Sequence, residues 1–119
     1  MSKRILIAED QMITREALSK FAKARGYHVE TVTNGVDLLD MVVNQEFDVV
    51  ITDLIMPDLN GASATEIMRL QENNVPVIAL TGLSAKDVGT VRQKFSRVFH
   101  KPVDTKELFD YVERVLEAR

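Results

Sequence analysis

The chain contains no cysteine, which excludes disulfides, thiolate metal sites and thiol nucleophiles together. It has no block of basic residues, and its formal charge is −3. Gripping a phosphate backbone needs a Lys/Arg patch, so nucleic acid is not expected as a direct ligand. No apolar stretch approaches the roughly 20 residues of a membrane-spanning helix. Residues 1–8 carry the outline of a leader, but the apolar run 5–8 meets Glu9-Asp10 after four residues, too short for a signal-peptide core. No membrane contact and a cytoplasmic location are therefore expected. Linkers, low-complexity segments and repeats are also missing. What is present is 119 residues with 45% hydrophobic and 28% charged content, enough for one domain with one good core. That domain is expected to span 1–119, whether a whole protein or a part of a longer one.

The stretch 47–61, FDVVITDLIMPDLNG, organises the rest. Val49, Val50 and Ile51 form a β-branched run of the kind buried on both faces of a sheet. Thr52 and Asp53 end it, and the segment from Met56-Pro57-Asp58 to Asn60-Gly61 supplies turn chemistry. Asp53 therefore stands at the carboxyl end of a central strand, the edge where open α/β sheets bind ligands. Before it, residues 4–8 read as a strand. Ile13, Ala17, Leu18, Phe21 and Ala24 then recur at helical spacing until Gly26 stops them. Residues 27–33 alternate like a strand. Asn34-Gly35 opens a helix with an apolar stripe of Val36, Leu39 and Val43. After the central strand, residues 62–72 read as a helix with Ala64, Ile67 and Met68 inward. Pro76 then opens a strand running through Leu80 to Thr81-Gly82. Ser84 to Asp87 has the form of a capping box with a shorter acid. The helix it begins carries Val88, Val91 and Phe95, weakened by Gly89 and Thr90. Val98 and Phe99 form a last strand ending at Lys101-Pro102, and Asp104 caps a final helix with Leu108, Val112 and Leu116 on its apolar side. Five strands alternating with five helices predict a parallel sheet wrapped on both faces. Patterning alone leaves the doubly wound orders and a Rossmann-like half both open.

In such a sheet the strand exits share one edge. Glu9-Asp10, Asp53, Thr81-Gly82 and Lys101 are thereby drawn into one cleft. Three carboxylates so close repel one another, and a hard divalent cation such as Mg²⁺ relieves the repulsion. Lys101 can pair with Asp53 or meet a phosphoryl oxygen, and Thr81 can donate a hydrogen bond. Gly82, without a Cβ, lets its backbone N–H approach a bulky anion. Asp53 is the natural nucleophile, because a carboxylate is already ionised and can hold a phosphoryl group as an aspartyl phosphate.

These segments, ILIAED (5–10), DVVITDLIMPDLNG (48–61), PVIALTG (76–82) and FHKP (99–102), resemble those of response-regulator receiver domains, and the likeness covers the whole chain. The resemblance implies a flavodoxin-like (βα)5 fold, a doubly wound parallel sheet of order 2-1-3-4-5. It implies Mg²⁺ held by Glu9, Asp10, Asp53 and the Ile55 carbonyl, with Asp53 accepting phosphate from a partner phosphohistidine. Thr81, Lys101 and Gly82 would bind the phosphoryl group, and the Lys101–Pro102 bond would be cis. The implied partners are a sensor histidine kinase or a histidine phosphotransfer protein, with an output domain or target not legible here. Phosphorylation would switch a surface around helix 4, strand 5 and helix 5, with no turnover of an external substrate. Receivers commonly carry Tyr or Phe three residues before the lysine, whereas this chain has Val98, with Phe99 on the opposite face. Signalling through Thr81 and the fourth helix alone, or service as a phosphorelay intermediate, are the alternatives this leaves; the receiver part of a hybrid histidine kinase is a further alternative for the whole domain.

A flavodoxin-like cofactor binder is the rival from another class. It should carry a Gly- or Ser/Thr-rich phosphate loop after strand one, where this chain places Glu9-Asp10-Gln11. A degenerate receiver acting only as an interaction module should lack one of the acids or Lys101, and all are present. His28 and His100 read as ordinary strand residues. Met12 and Ile13 are expected to pack in the core, with an apolar docking spot for a phosphodonor as the alternative. Ile55 and Leu83 are expected to flank the phosphoryl group and hinder hydrolysis.

Overall fold

In the computed structural model, which describes residues 2–118, β3 (Val49–Asp53) lies at the centre of a five-stranded sheet. Around it stand β1 (Arg4–Ala8), β2 (His28–Val32), β4 (Val77–Thr81) and β5 (Arg97–His100) in the order β2-β1-β3-β4-β5, with every pairing parallel. The flavodoxin-like order expected from the resemblance is the one observed. Met1 and Arg119, the two ends of the expected domain, lie outside the described residues.

Period-two alternation sorts the strand side chains into two cores. Ile5, Ile7, Val49, Ile51, Ile78 and Leu80 face α1 (Met12–Ala24) and α5 (Thr105–Glu117). Leu6, Ala8, Val50, Val77 and Ala79 face α2 (Gly35–Asn44), α3 (Gly61–Leu70) and the segment between β4 and β5. All five residues of β3 and all five of β4 are buried, which is why their sequences read as unbroken apolar runs.

Helix boundaries follow the expected capping chemistry. Asn34, Asn60, Ser84 and Asp104 each accept the backbone N–H three residues on, at 2.8, 2.8, 3.2 and 3.1 Å. α1 ends in a Schellman arrangement: Gly26 adopts φ +91°, its N–H meets the Lys23 carbonyl at 2.9 Å, and the Tyr27 N–H meets Ala22 at 3.2 Å.

Three expectations need correction. In α2, Val36 and Val43 point to solvent, 54% and 64% exposed, while Leu38 and Val42 are buried. The cause is Gly35, where a Cβ would lie 2.0 Å from the Leu59 carbonyl oxygen; that approach fixes the helix rotation so that 35, 38 and 42 face inward. In α1, Ile13, Ala17 and Ala24 are exposed, and Leu18 with Ala22 makes the buried contact. The fourth helix, finally, is one α-turn, α4 (Ala85–Val88), continued as a 3-10 segment (Gly89–Lys94). Gly89 ends the turn at φ +54°, a conformation an L side chain resists. Among the described residues no helix is long and apolar enough to cross a membrane.

Candidate functional site

The site grows from the carboxyl ends of β1, β3, β4 and β5. At the β1 exit the Glu9 N–H continues the ladder to the Val32 carbonyl at 3.0 Å, which holds Glu9 in line with the strand, fully buried. Asp10, next in sequence, is exposed. Arg15, one turn into α1, donates to the Glu9 and Asp10 carbonyls at 3.0 and 3.3 Å and so fixes the peptides carrying both acids.

Asp53 closes β3 and is 6% exposed. Its Oδ1 accepts the Ile55 N–H at 3.1 Å, which orients the carboxylate. Thr52 Oγ1 donates to the Asp53 carbonyl at 2.9 Å. α3 begins against the same carbonyl: a Cβ at Gly61 would lie 2.2 Å from it, so only glycine fits there.

Lys101 follows β5, and its N–H reaches the Thr81 carbonyl at 2.7 Å. Its Nζ lies 2.6 Å from Asp53 Oδ2 and 3.1 and 3.3 Å from the two Glu9 oxygens. The Lys101–Pro102 peptide is cis. Glu9, Asp10 and Asp53 each offer an oxygen, all within 4.8 Å of one another. Of the residues expected in one cleft, Glu9, Asp10, Asp53 and Lys101 meet directly.

The electrostatics bear the mark of that crowding. Burial, helped by the hydrogen bond and charge of Asp53 and opposed by Lys101, pushes the Glu9 carboxyl up from 4.5 to about 7. Burial alone would lower the Lys101 ammonium, but hydrogen bonds and charge from Asp53 and Glu9 outweigh it and hold the lysine above its ordinary value. A cluster of three acids with one cation has carboxylate charge to spare, and its all-oxygen donor set suits a hard divalent ion.

Thr81 is fully buried, one residue beyond Leu80, the β4 partner of Asp53. Its hydroxyl oxygen accepts the Leu83 N–H at 3.0 Å. Gly82 is exposed, with open space where a Cβ would stand. Ile55, 60% exposed, and Leu83 line one groove of about 440 Å³ beside α4. Met12 and Ile13, expected in the core, are instead 59% and 82% exposed, because the inward face of α1 is set by Leu18 and Ala22. Val98 and Phe99 are both buried, on opposite faces of the sheet. Sequence reasoning missed two contacts. Arg15 gave a weak signal, one helical turn beyond Gln11; His100, whose Nδ1 lies 2.8 Å from the Leu83 carbonyl, gave none.

Fold and site together define a doubly wound α/β domain that carries an acidic, lysine-bridged cleft at the carboxyl edge of its sheet. The family model for the response regulator receiver domain matches residues 5–113, and the chain belongs to that family, whose members serve two-component signalling. It is 29% identical over 121 residues to sporulation initiation phosphotransferase F of Bacillus subtilis, across 100% of this chain and 98% of that protein. It is 32% identical over 117 residues to transcription factor SKN7 of Saccharomyces cerevisiae, covering 97% of this chain but 19% of that protein. The chain thus spans about a fifth of that relative's length. Among solved structures, the receiver domain of sensor histidine kinase PA1611 from Pseudomonas aeruginosa, with magnesium coordinated in its active-site cleft, superposes with a TM-score of 0.89. The two are 28% identical, with 98% of this chain and 99% of that one covered.

Proposed function

We propose that this domain is a phosphoacceptor in which Asp53 takes a phosphoryl group from a phosphohistidine of a sensor kinase or phosphotransfer protein. The observation that carries this reading is the Lys101 ammonium 2.6 Å from Asp53 within three mutually adjacent carboxylates. An Asp53 oxygen attacks phosphorus as the P–N bond breaks, and its electron pair leaves with the imidazole nitrogen. A carboxylate nucleophile has no proton to shed, so no general base is required. The Ile55 N–H orients the carboxylate; Lys101 moves from pairing with Asp53 to neutralising a phosphoryl oxygen; the Thr81 O–H and Gly82 N–H take the others. The donor set formed by Glu9, Asp10, Asp53 and the Ile55 carbonyl fits Mg²⁺, which when bound neutralises charge spread over the transferring oxygens. The exposed Met12 and Ile13 offer the phosphodonor an apolar footing beside the acids.

Self-phosphorylation and slow hydrolysis are the only chemistry proposed, and a cytoplasmic setting follows from the partners. The output is a surface at α4, β5 and α5. A second reading, a phosphorelay intermediate, is favoured by Val98, which leaves Thr81 no aromatic partner on its own face of β5, and by the full-length match to a phosphotransferase. The test is incubation with a small phosphodonor, with and without Mg²⁺, followed by intact mass. Wild type should gain one phosphoryl group only with Mg²⁺, and Asp53→Asn none. Equal labelling of Asp53→Asn would refute the assignment.

A further inference from the structure

The Thr81 hydroxyl has one proton and two lone pairs. By accepting the Leu83 N–H at 3.0 Å, it keeps its own proton free and limited in direction. Leu83 is gripped a second time, because His100 Nδ1 lies 2.8 Å from its carbonyl. A carbonyl only accepts, so Nδ1 carries the proton. His100 stands opposite Thr81 in the β4–β5 register and immediately precedes Lys101. Beyond that grip the loop is held by the Ser84 cap, which accepts the Asp87 N–H at 3.2 Å, and by Leu83 packed on the core. Gly82 is exposed, and α4 is a single turn that ends at Gly89.

We propose that His100 is a positioning residue for phosphoryl capture at Asp53: its ring N–H pins the Leu83 carbonyl, fixes loop 82–84, and so aims the Thr81 O–H at the transferring oxygens. The inference rests on Asp53 being the phosphoacceptor. No phosphoryl group passes through the imidazole; it acts only through Leu83 and Thr81.

The test measures the rate of labelling by a small phosphodonor in saturating Mg²⁺. Losing one hydrogen bond of this kind should slow His100→Ala by about three- to tenfold. His100→Asn places an amide N–H where Nδ1 stood and should stay within about twofold of wild type, an outcome that bulk destabilisation would not produce. In a Thr81→Ala background, adding His100→Ala should cause no further slowing, since the hydroxyl it aims is gone. His100→Ala at the wild-type rate, His100→Asn as slow as Ala, or full additivity with Thr81→Ala would each overturn the inference while leaving the phosphoacceptor reading intact. A wild type that takes no label at all would remove both.

Discussion

Glu9 makes its own fold less stable as it ionises, and replacing it should make the metal-free domain more stable. In Glu9→Gln the shape is kept and the single amide oxygen can accept one of the two hydrogen bonds from Lys101, while the buried charge facing Asp53 is removed. The folded carboxyl titrates near 7 instead of 4.5. A raised carboxyl pKa means that the folded state binds the extra proton, so stability is full below 4.5 and is lost as pH climbs through 7. The shift corresponds to roughly 3 kcal/mol. Because water reaches Asp10 and Lys101 at the mouth of the cluster, about 2 kcal/mol is the better expectation. Urea unfolding in EDTA should therefore show the glutamine variant gaining about 2 kcal/mol on wild type between pH 4.5 and pH 8, equivalent to roughly 8 °C in Tm for a domain of this size. Millimolar Mg²⁺ should then stabilise wild type at pH 8 and leave the variant nearly unchanged, closing the gap. A gap that does not vary with pH, or a variant less stable than wild type at pH 8, would refute the reasoning.

Gly61→Ala, whose Cβ would sit 2.2 Å from the Asp53 carbonyl oxygen, should lose about 3 kcal/mol. Gly82→Ala, with open space at that position, should stay within about 0.5 kcal/mol of wild type; urea midpoints of the two variants separate these outcomes, and equal midpoints would count against the packing argument. Ile55→Asn should hasten loss of phosphate from Asp53 severalfold by admitting and orienting water, as followed by decay of the phosphorylated mass; an unchanged half-life would show that the isoleucine excludes nothing. Hydrogen exchange should find residues 85–94 much less protected than 61–70, since one α-turn and a 3-10 segment hold the former and ten helical residues the latter. Equal protection with and without a phosphate mimic would speak against α4 as the mobile element.

The sheet was legible because its middle is buried on both faces. Val49 to Ile51 and Val77 to Leu80 have no polar interruption to misread, and turn residues bound each run. The acid cluster was legible for a related reason: in a parallel sheet every strand exit lies on one edge, so Glu9, Asp53 and Lys101 were obliged to meet. The rotation of α2 was not legible. Val36, Leu39 and Val43 form as good a stripe as Leu38 and Val42, and what decides between them is a backbone approach of Gly35 to Leu59, two segments far apart in sequence. The fourth helix carried its warning in Gly89 and Thr90, but that the chain would continue as a 3-10 segment rests on packing of Val88, Val91 and Phe95. His100 was illegible because its partner is a backbone carbonyl, which every residue possesses.

The acidic cleft is assembled from residues 9–10, 53, 81 and 101, and its lysine hangs from an edge strand that is also the last strand of this sheet to be made. A ribosome-bound chain lacking β5 would present acids without their counter-cation and without the β4–β5 pairing that seats Thr81. On the proposed phosphoacceptor reading, competence to receive phosphate is thus withheld until β5 has been synthesised and docked, so the modification would certify a completed sheet.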